Sequence, residues 1–426
     1  MALRSPRFLL LVACLAALLA AAGCGSSGSS SGGVQHIVLW HGFTDTEARA
    51  LNRAVAHFNK THPKIQVTAQ FYGNTDYALQ KVLTAIAGGK PPDISYLYGS
   101  WAANIAKNPK VVRIDDLMKG TPSFDWNDFW PAERKAATVD GNVVGVPALV
   151  DNLALVYNKK LFDAAGVAYP TASWTWSDLR AAAKKLSDPA KKQFGWAYVA
   201  DGGEDTVWRF EALLWQAGGQ ILDPSGSKAA FNSDAGVRAL TLLQQMATQD
   251  HSVYLDNGNG NYGNLFNSGK IAMLYTGPWD LSSFTDVDFG VQILPGDQNH
   301  QTISGPDNWV LFDNGEARTK AAWTFISYLT SAKTAMQMSL TDSHLPIRQS
   351  ETRLPDYRTF VHKFPGMAEF VKNEQNAVNT RPVTDKYPKI SEAIGQAVQG
   401  VLLGKAQPKQ ALDAAASQVD SILAAP

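Results

Sequence analysis

Leu51, Val55 and Phe58 recur at steps of four and three through residues 46 to 60, the spacing of a helix with one buried face. The segment that follows, KIQVTAQFY, alternates and carries β-branched residues, which predicts a strand. The pattern then repeats. In DYALQKVLTAIAGGKPPD, Leu79, Val82, Leu83 and Ile86 fall on one helical face, Gly88 and Gly89 stop the helix, and Pro91 and Pro92 precede the strand DISYLY. Strand and helix in alternation imply a parallel or mostly parallel sheet covered by helices. NVVGVPALVDNLALVYNKKLF has apolar residues without helical spacing and encloses Gly145 and Pro147, so it reads as extended chain crossing between lobes. TWSDLRAAAKKL opens with a capping box, Thr175 and Asp178, and buries Leu179 and Leu186. Further helices are expected at 206–217, 234–248, 316–331 and 388–402, the last closed by Gly404, and KIAMLYTGPWDL to DFGVQILPG returns to strands before ISGPDNWVLF.

The amino end has a different pattern. Arg4 and Arg7 precede an apolar run over residues 8 to 22 that closes on Ala21, Ala22 and Gly23, the layout of a secretory signal, too short for a comfortable membrane span. The ending at Cys24 resembles a bacterial lipoprotein box, with Ala21 where leucine is usual, so Cys24 is the expected lipidation site. GSSGSSSGG then reads as a flexible tether, and a lipid on Cys24 would hold a folded body at a membrane without a crossing helix. The alternative is a cleaved signal and a freely secreted protein.

Composition narrows the function. The roughly 400 residues after the signal exceed what a single core supports, which favours two domains. Thirty-eight basic and 38 acidic residues give no general electrostatic grip on nucleic acid or anionic lipid. The two cysteines, Cys14 and Cys24, lie in the signal region, so the body has neither a disulfide nor a thiol nucleophile. Twelve tryptophans are unusual; several are expected in the core, and a surplus of aromatic surface is also what a sugar-binding cleft requires. Gly258, Gly260 and Gly263 match G-x-G-x-x-G spacing, but they stand in the Asn-rich stretch DNGNGNYGN and read as a plain loop. The eight histidines show no zinc spacing, so no metal is expected. No nucleophile elbow or Walker lysine appears either. Two carboxylates across a cleft would suffice for glycoside hydrolysis, so the residue inventory leaves a hydrolase open, with Asp151 and Asp307 as its candidate acids.

Four pieces in order, LWHGFTD with FNKTHPKIQV, GGKPPDISYL, VGVPALVDNLALVYNKKLFDAAGV with TASWTWSDLRAAAKKL, and GKIAMLYTGPWD with SHLPI, resemble the family 1 extracellular solute-binding proteins of ABC importers. The resemblance covers the chain from about residue 34 to the end. It implies two doubly wound α/β lobes joined by a three-segment hinge, the type II periplasmic-binding-protein fold. The crossings would fall near residues 147–152, 304–308 and 344–348, with lobe 1 at 34–149 plus 306–345 and lobe 2 at 150–305 plus 346–426, after the signal at 1–23 and the tether at 24–33. It also implies a small-molecule ligand in the interlobe cleft, no cofactor, delivery to an ABC permease, and a monomer held at the cell membrane by its lipid. A lipid-anchored interaction protein without a small ligand is the third class considered.

Open α/β sheets bind ligands beyond the carboxyl ends of their strands, and VLWHGFTD is such an end, so Trp40, His41 and Asp45 are expected at the cleft, packing of Trp40 on the first helix being its alternative. By resemblance, Asp45 and Asp151 match acids that hold ligand hydroxyls, and Trp208 and Trp279 match sugar-stacking aromatics. Ser100 and Trp101 occupy a loop after the third strand, while Asn152, Gly305 and Asp307 fall at the crossings. Trp174, Trp176, Trp215 and Trp323 read as core. A sister branch binds glycerol 3-phosphate and glycerophosphodiesters, and the segment around Tyr77 resembles it. That branch's following acid is Ala78 here, its tyrosine before Leu-Pro is His344, and its C-terminal arginine is Ser391. Without that arginine a phosphate loses a bidentate partner, which favours a neutral saccharide, with His344 and Arg381 as possible substitutes.

Overall fold

The computed structural model describes residues 33–425 except 74, 76 and 77, so the signal segment, Cys24, most of the tether and Tyr77 lie outside the described residues. Among the described residues twelve strands follow one another: β1 (Gln35–His41), β2 (Ile65–Phe71), β3 (Ile94–Tyr98), β4 (Thr138–Val139), β5 (Asn142–Val143), β6 (Val146–Leu149), β7 (Ala154–Asn158), β8 (Trp196–Val199), β9 (Val253–Asp256), β10 (Met273–Thr276), β11 (Phe289–Gln292) and β12 (Asp307–Leu311).

Ten of them form two five-stranded sheets, ordered β2-β1-β3-β12-β6 and β11-β7-β10-β8-β9. In the first, β1 runs parallel to β2 and β3, while β12 is antiparallel to β3 and β6. In the second, β8 runs parallel to β9 and β10, and β7 is antiparallel to β10 and β11. The chain passes from the first sheet to the second between β6 and β7 and returns between β11 and β12.

The expected periodic segments fold as read. The first helix runs over Asp45–Thr61 and buries Leu51, Val55 and Phe58, and the helix Trp176–Leu186 has its capping box at Thr175 and Asp178. Apolar faces of these helices close on the sheets because each covers surface that would otherwise meet water, at about 25 cal/mol per Å². One core cluster runs continuously across one face of both sheets, joining Ile37 and Leu39 of β1 to Val156 of β7 and Val291 of β11. A second covers the other face of the second sheet, where Trp176 and Trp215 are buried and Trp174 packs at the margin near Phe162. Trp323 is buried in the first cluster.

One expectation fails at the carboxyl end. The helix Tyr387–Leu402 is followed by Gly404 with φ +70°, but the chain then forms another helix, Pro408–Ala424. That helix buries Ala411, Leu412, Ala415, Ala416 and Val419. A face made chiefly of alanine has little hydropathic contrast, which is why it escaped a pattern search.

Candidate functional site

Residues just past the carboxyl ends of the parallel strands line one cavity of about 330 Å³, within the range of small-molecule sites. Phe43 and Glu47 follow β1, Tyr98 ends β3, Asp201 follows β8, Asp256 ends β9 and Trp279 follows β10. Asp307, the first residue of antiparallel β12, reaches the same place because its strand runs the other way.

Trp208 and Trp279 lie against each other with ring centroids 5.7 Å apart and planes inclined at 41°. Trp208 is held by the helix Glu204–Gln216 and is 8% exposed; its Nε1 has no hydrogen-bond partner among the described residues. A Cβ on Gly305 would come within 3.1 Å of that indole, so glycine lets the crossing chain approach it.

Three crossings contribute to the wall. Asp151 lies on the first, Gly305 on the second and His344 on the third. The first two are tied by a β-bridge between Asn152 and Ser304 and by Gly305 N donating to Asp151 O at 2.8 Å. His344 is buried with Nδ1 2.5 Å from an Asp151 oxygen and Nε2 3.1 Å from a Glu47 oxygen. Burial alone would pull this imidazole down, but the carboxylates of Asp151 and Glu47 push it well above the ordinary histidine value, so it is an imidazolium bridging two acids.

The arginines are committed in the same way. Arg209 donates to Asp205 and to the carbonyl of Tyr275, and its guanidinium sits 5.8 Å from the ring centroid of Tyr262. Arg381 meets Glu204 at 2.9 Å, and Glu204 also accepts from Tyr387 and from Ser391. Asp307 accepts from the Tyr96 hydroxyl and Gly99 N; burial pushes its carboxyl up to about 7.

Of the residues expected at the site, Asp151, Trp208, Trp279, Gly305, Asp307, His344 and Arg381 thus meet on one cavity wall. Six others stand elsewhere. Trp40 donates from Nε1 to Gln70 and packs near Tyr72 on the outer face of the first sheet. His41 is buried against Phe43 and Phe71, its Nδ1 accepting from Phe43 N. Asp45 is exposed at the start of the first helix. Trp101 is buried against Tyr98 in the core, and Ser100 borders a separate small void. Asn152 acts as a strut, donating to Phe370 O and Glu374 while accepting from Asn373. The cleft instead takes Phe43 and Glu47, which lie past the strand.

The Asn-rich stretch also needs correcting. Gly258 and Gly260 line the cavity between β9 and the short helix Asn261–Asn267, held by Asp256, which accepts from the backbone N–H groups of Gly258, Asn259 and Tyr262. Gly258 permits close approach, since a Cβ there would lie 3.0 Å from Asp201, whereas Gly260 has open space around it and supplies the positive φ of +70°.

The family model described as bacterial extracellular solute-binding protein matches residues 44–336. The chain belongs to that family. An ABC substrate-binding protein of Listeria monocytogenes, solved in complex with cycloalternan, is 27% identical to this solute-binding protein, covers 91% of it with 98% of its own chain, and superposes with a TM-score of 0.83. The GacH receptor of Streptomyces glaucescens, solved unliganded and with acarbose, is 25% identical with a TM-score of 0.81, the alignment covering 92% and 98% of the two chains. Among curated relatives, the sn-glycerol-3-phosphate-binding periplasmic protein of Yersinia enterocolitica is 23% identical over 416 residues, 92% of each chain. The two-sheet α/β architecture is that of the type II periplasmic binding proteins, and this protein's family and neighbours are substrate-binding proteins of ABC importers, not enzymes. Among the described residues of this solute-binding protein, no helix is long and apolar enough to cross a membrane.

One substitution behind the cleft has a definite outcome. A Cβ on Gly395 would lie 2.2 Å from Gly202 O, on the loop that carries Asp201 to the cavity. Gly395→Ala is expected to destabilise the protein by about 1–3 kcal/mol, as overpacking does, and to weaken ligand binding with it. Denaturant titration and calorimetry on the same sample check both effects.

Proposed function

We propose that this solute-binding protein captures a carbohydrate between two lobes, 34–149 plus 306–345 and 150–305 plus 346–426, and delivers it to an ABC permease while a lipid on Cys24 holds it, as a monomer, at the membrane. The observation that carries the reading is the Trp208–Trp279 pair on the wall of an acceptor-rich cavity. A sugar ring has an apolar C–H face and an edge of hydroxyls, so it needs a flat aromatic surface beside hydrogen-bond acceptors. Carboxylate acceptors contribute about 1.5–3 kcal/mol each against about 1 for neutral ones.

Hinge closure follows from where the wall residues originate. Ligand touching both lobes gains contacts only in the closed form, and that difference shifts the population toward it. A phosphate is less well served. Arg209 and Arg381 are already paired with Asp205 and Glu204, and His344 with Asp151 and Glu47, so a dianion would have to displace a carboxylate from each cation.

A thermal-shift panel of neutral mono- and disaccharides, glycerol 3-phosphate and glycerophosphocholine tests this, because a ligand selective for the folded state raises its melting temperature. A rise with a saccharide recovered unchanged is the expected result. A rise with the glycerophosphates alone would overturn the carbohydrate reading, and release of hydrolysed product would overturn the binding role.

A further inference from the structure

The cleft has more negative charge than its cations answer. On the side of the first sheet stand Glu47, Asp151 and Asp307, and on the side of the second Asp201, Glu204, Asp205 and Asp256. Against them the wall presents His344, Arg209 and Arg381. Each cation is matched to a carboxylate, and His344 is shared between two.

Three acids are left without an ion pair among the described residues, one of which, Asp307, is inclined to keep its proton because burial raises its carboxyl to about 7. Asp201 accepts from Gly203 N at 2.9 Å and the Thr206 hydroxyl at 2.6 Å. Asp256 accepts only backbone N–H groups, and Asp307 the Tyr96 hydroxyl and a backbone N–H. Asp201 and Asp256 belong together: β8 pairs in parallel with β9, Val199 opposite Asp256, and Gly258 is packed against Asp201 while bonded to Asp256. Fixed neutral donors hold both carboxylates in place without cancelling their charge.

Aromatic surface lines the same cavity. Tyr262, whose backbone N–H is bound by Asp256, lines the wall with Trp208 and Trp279. The indole N–H of Trp208, on a side chain more than nine-tenths buried, lacks an acceptor, an independent sign that a ligand with hydroxyl oxygens completes the site. Carboxylates beside electron-rich rings are the surroundings that favour an ammonium group, through Coulomb attraction and cation–π contact together.

We infer that the ligand is an aminated saccharide, its protonated amine seated by Asp201, with the fully buried Asp256 behind it, and its ring on Trp208 and Trp279. The inference rests on the carbohydrate reading and goes further by assigning the ligand a charge. Neutral sugars would leave these carboxylates with hydroxyl donors alone, and anionic ones would meet repulsion.

The test compares the glucosamine disaccharide with its N,N′-diacetylated form, which keeps the rings and removes the charge, together with cellobiose and glycerol 3-phosphate, by titration calorimetry on the full chain. The free amine is expected to bind at least tenfold tighter than the acetylated form, with the preference shrinking as salt screens the charges. Asp201→Asn keeps the oxygen that Gly203 and Thr206 use and is expected to reduce the ratio of amine to neutral affinity. Equal or tighter binding of the neutral disaccharides would overturn the inference and leave the carbohydrate reading standing. Binding of glycerol 3-phosphate alone, or of no saccharide, would overturn both.

Discussion

Trp279→Ala is expected to lower ligand affinity tenfold or more, a loss of at least about 1.4 kcal/mol, while the fold persists. Trp279 is only partly buried, packs at the margin of the second core cluster and meets Trp208 at 5.7 Å, so its removal deletes surface that the cavity offers without hollowing the core. Stacked aromatic contacts contribute about 0.5–1.5 kcal/mol beyond the area they bury, and loss of the buried area adds to that. Trp208→Ala is a poorer probe, because that side chain is part of the core and its loss mixes folding with binding. Calorimetry with circular dichroism separates the two, and unchanged affinity in a folded Trp279→Ala protein would remove this residue from the site.

The ligand-free protein is expected to become less stable as pH rises from about 5 to 8. Burial pushes the carboxyl groups of Asp307 and Asp342 up to about 7 and that of Glu351 to about 8. Glu133, fully buried with neither oxygen hydrogen-bonded, is driven well above the carboxylate range, first by burial and then by nearby Glu374, Asp307 and Asp151. For each of these groups the folded state holds a proton that the unfolded chain releases near pH 4, so a penalty grows from there until the folded group ionises. His344 adds to the trend. Its pKa is raised in the fold, so its stabilisation is complete below the ordinary histidine value and is lost as pH climbs through the raised one. His41, which burial lowers, works in the opposite direction and is outnumbered. Thermal denaturation at several pH values checks the slope, and Asp307→Asn is expected to flatten it. A melting temperature that increased over this window would contradict the assignment of buried, protonated acids.

How far the chain could be read in advance depended on where period and position coincide. Helices such as Asp45–Thr61 and Trp176–Leu186 declare themselves by a stripe of large apolar residues and a cap, and the strand–helix alternation of the first half follows from them. The alanine-faced helix Pro408–Ala424 has no such stripe. At the cleft, Asp151, Gly305 and His344 could be named because their stretches carry the family resemblance. Trp40 and His41 lie off the cavity for a different reason: β1 sends alternate side chains to opposite faces, and a residue list does not say which face, or which residue past the strand, turns toward the cavity. Asp201 lies on a loop, Asp256 at the last position of β9 and Tyr262 in a helix of seven residues, all too short or irregular for periodicity to single them out, and only the folded chain brings them to the cavity that Trp208 lines.

The pairing of the first two crossings bears on what a partner can sense. Asn152 and Ser304 bridge two extended segments running antiparallel, with Gly305 bonded across to Asp151 and the Thr302 hydroxyl to Leu153. A ribbon of this kind bends across its flat face, whereas sliding one strand along the other would break those bonds together. In the proposed closure the two halves would therefore tilt about this ribbon without sliding past each other, so a partner that reads the relative tilt of the two surfaces would sense whether the cavity is filled.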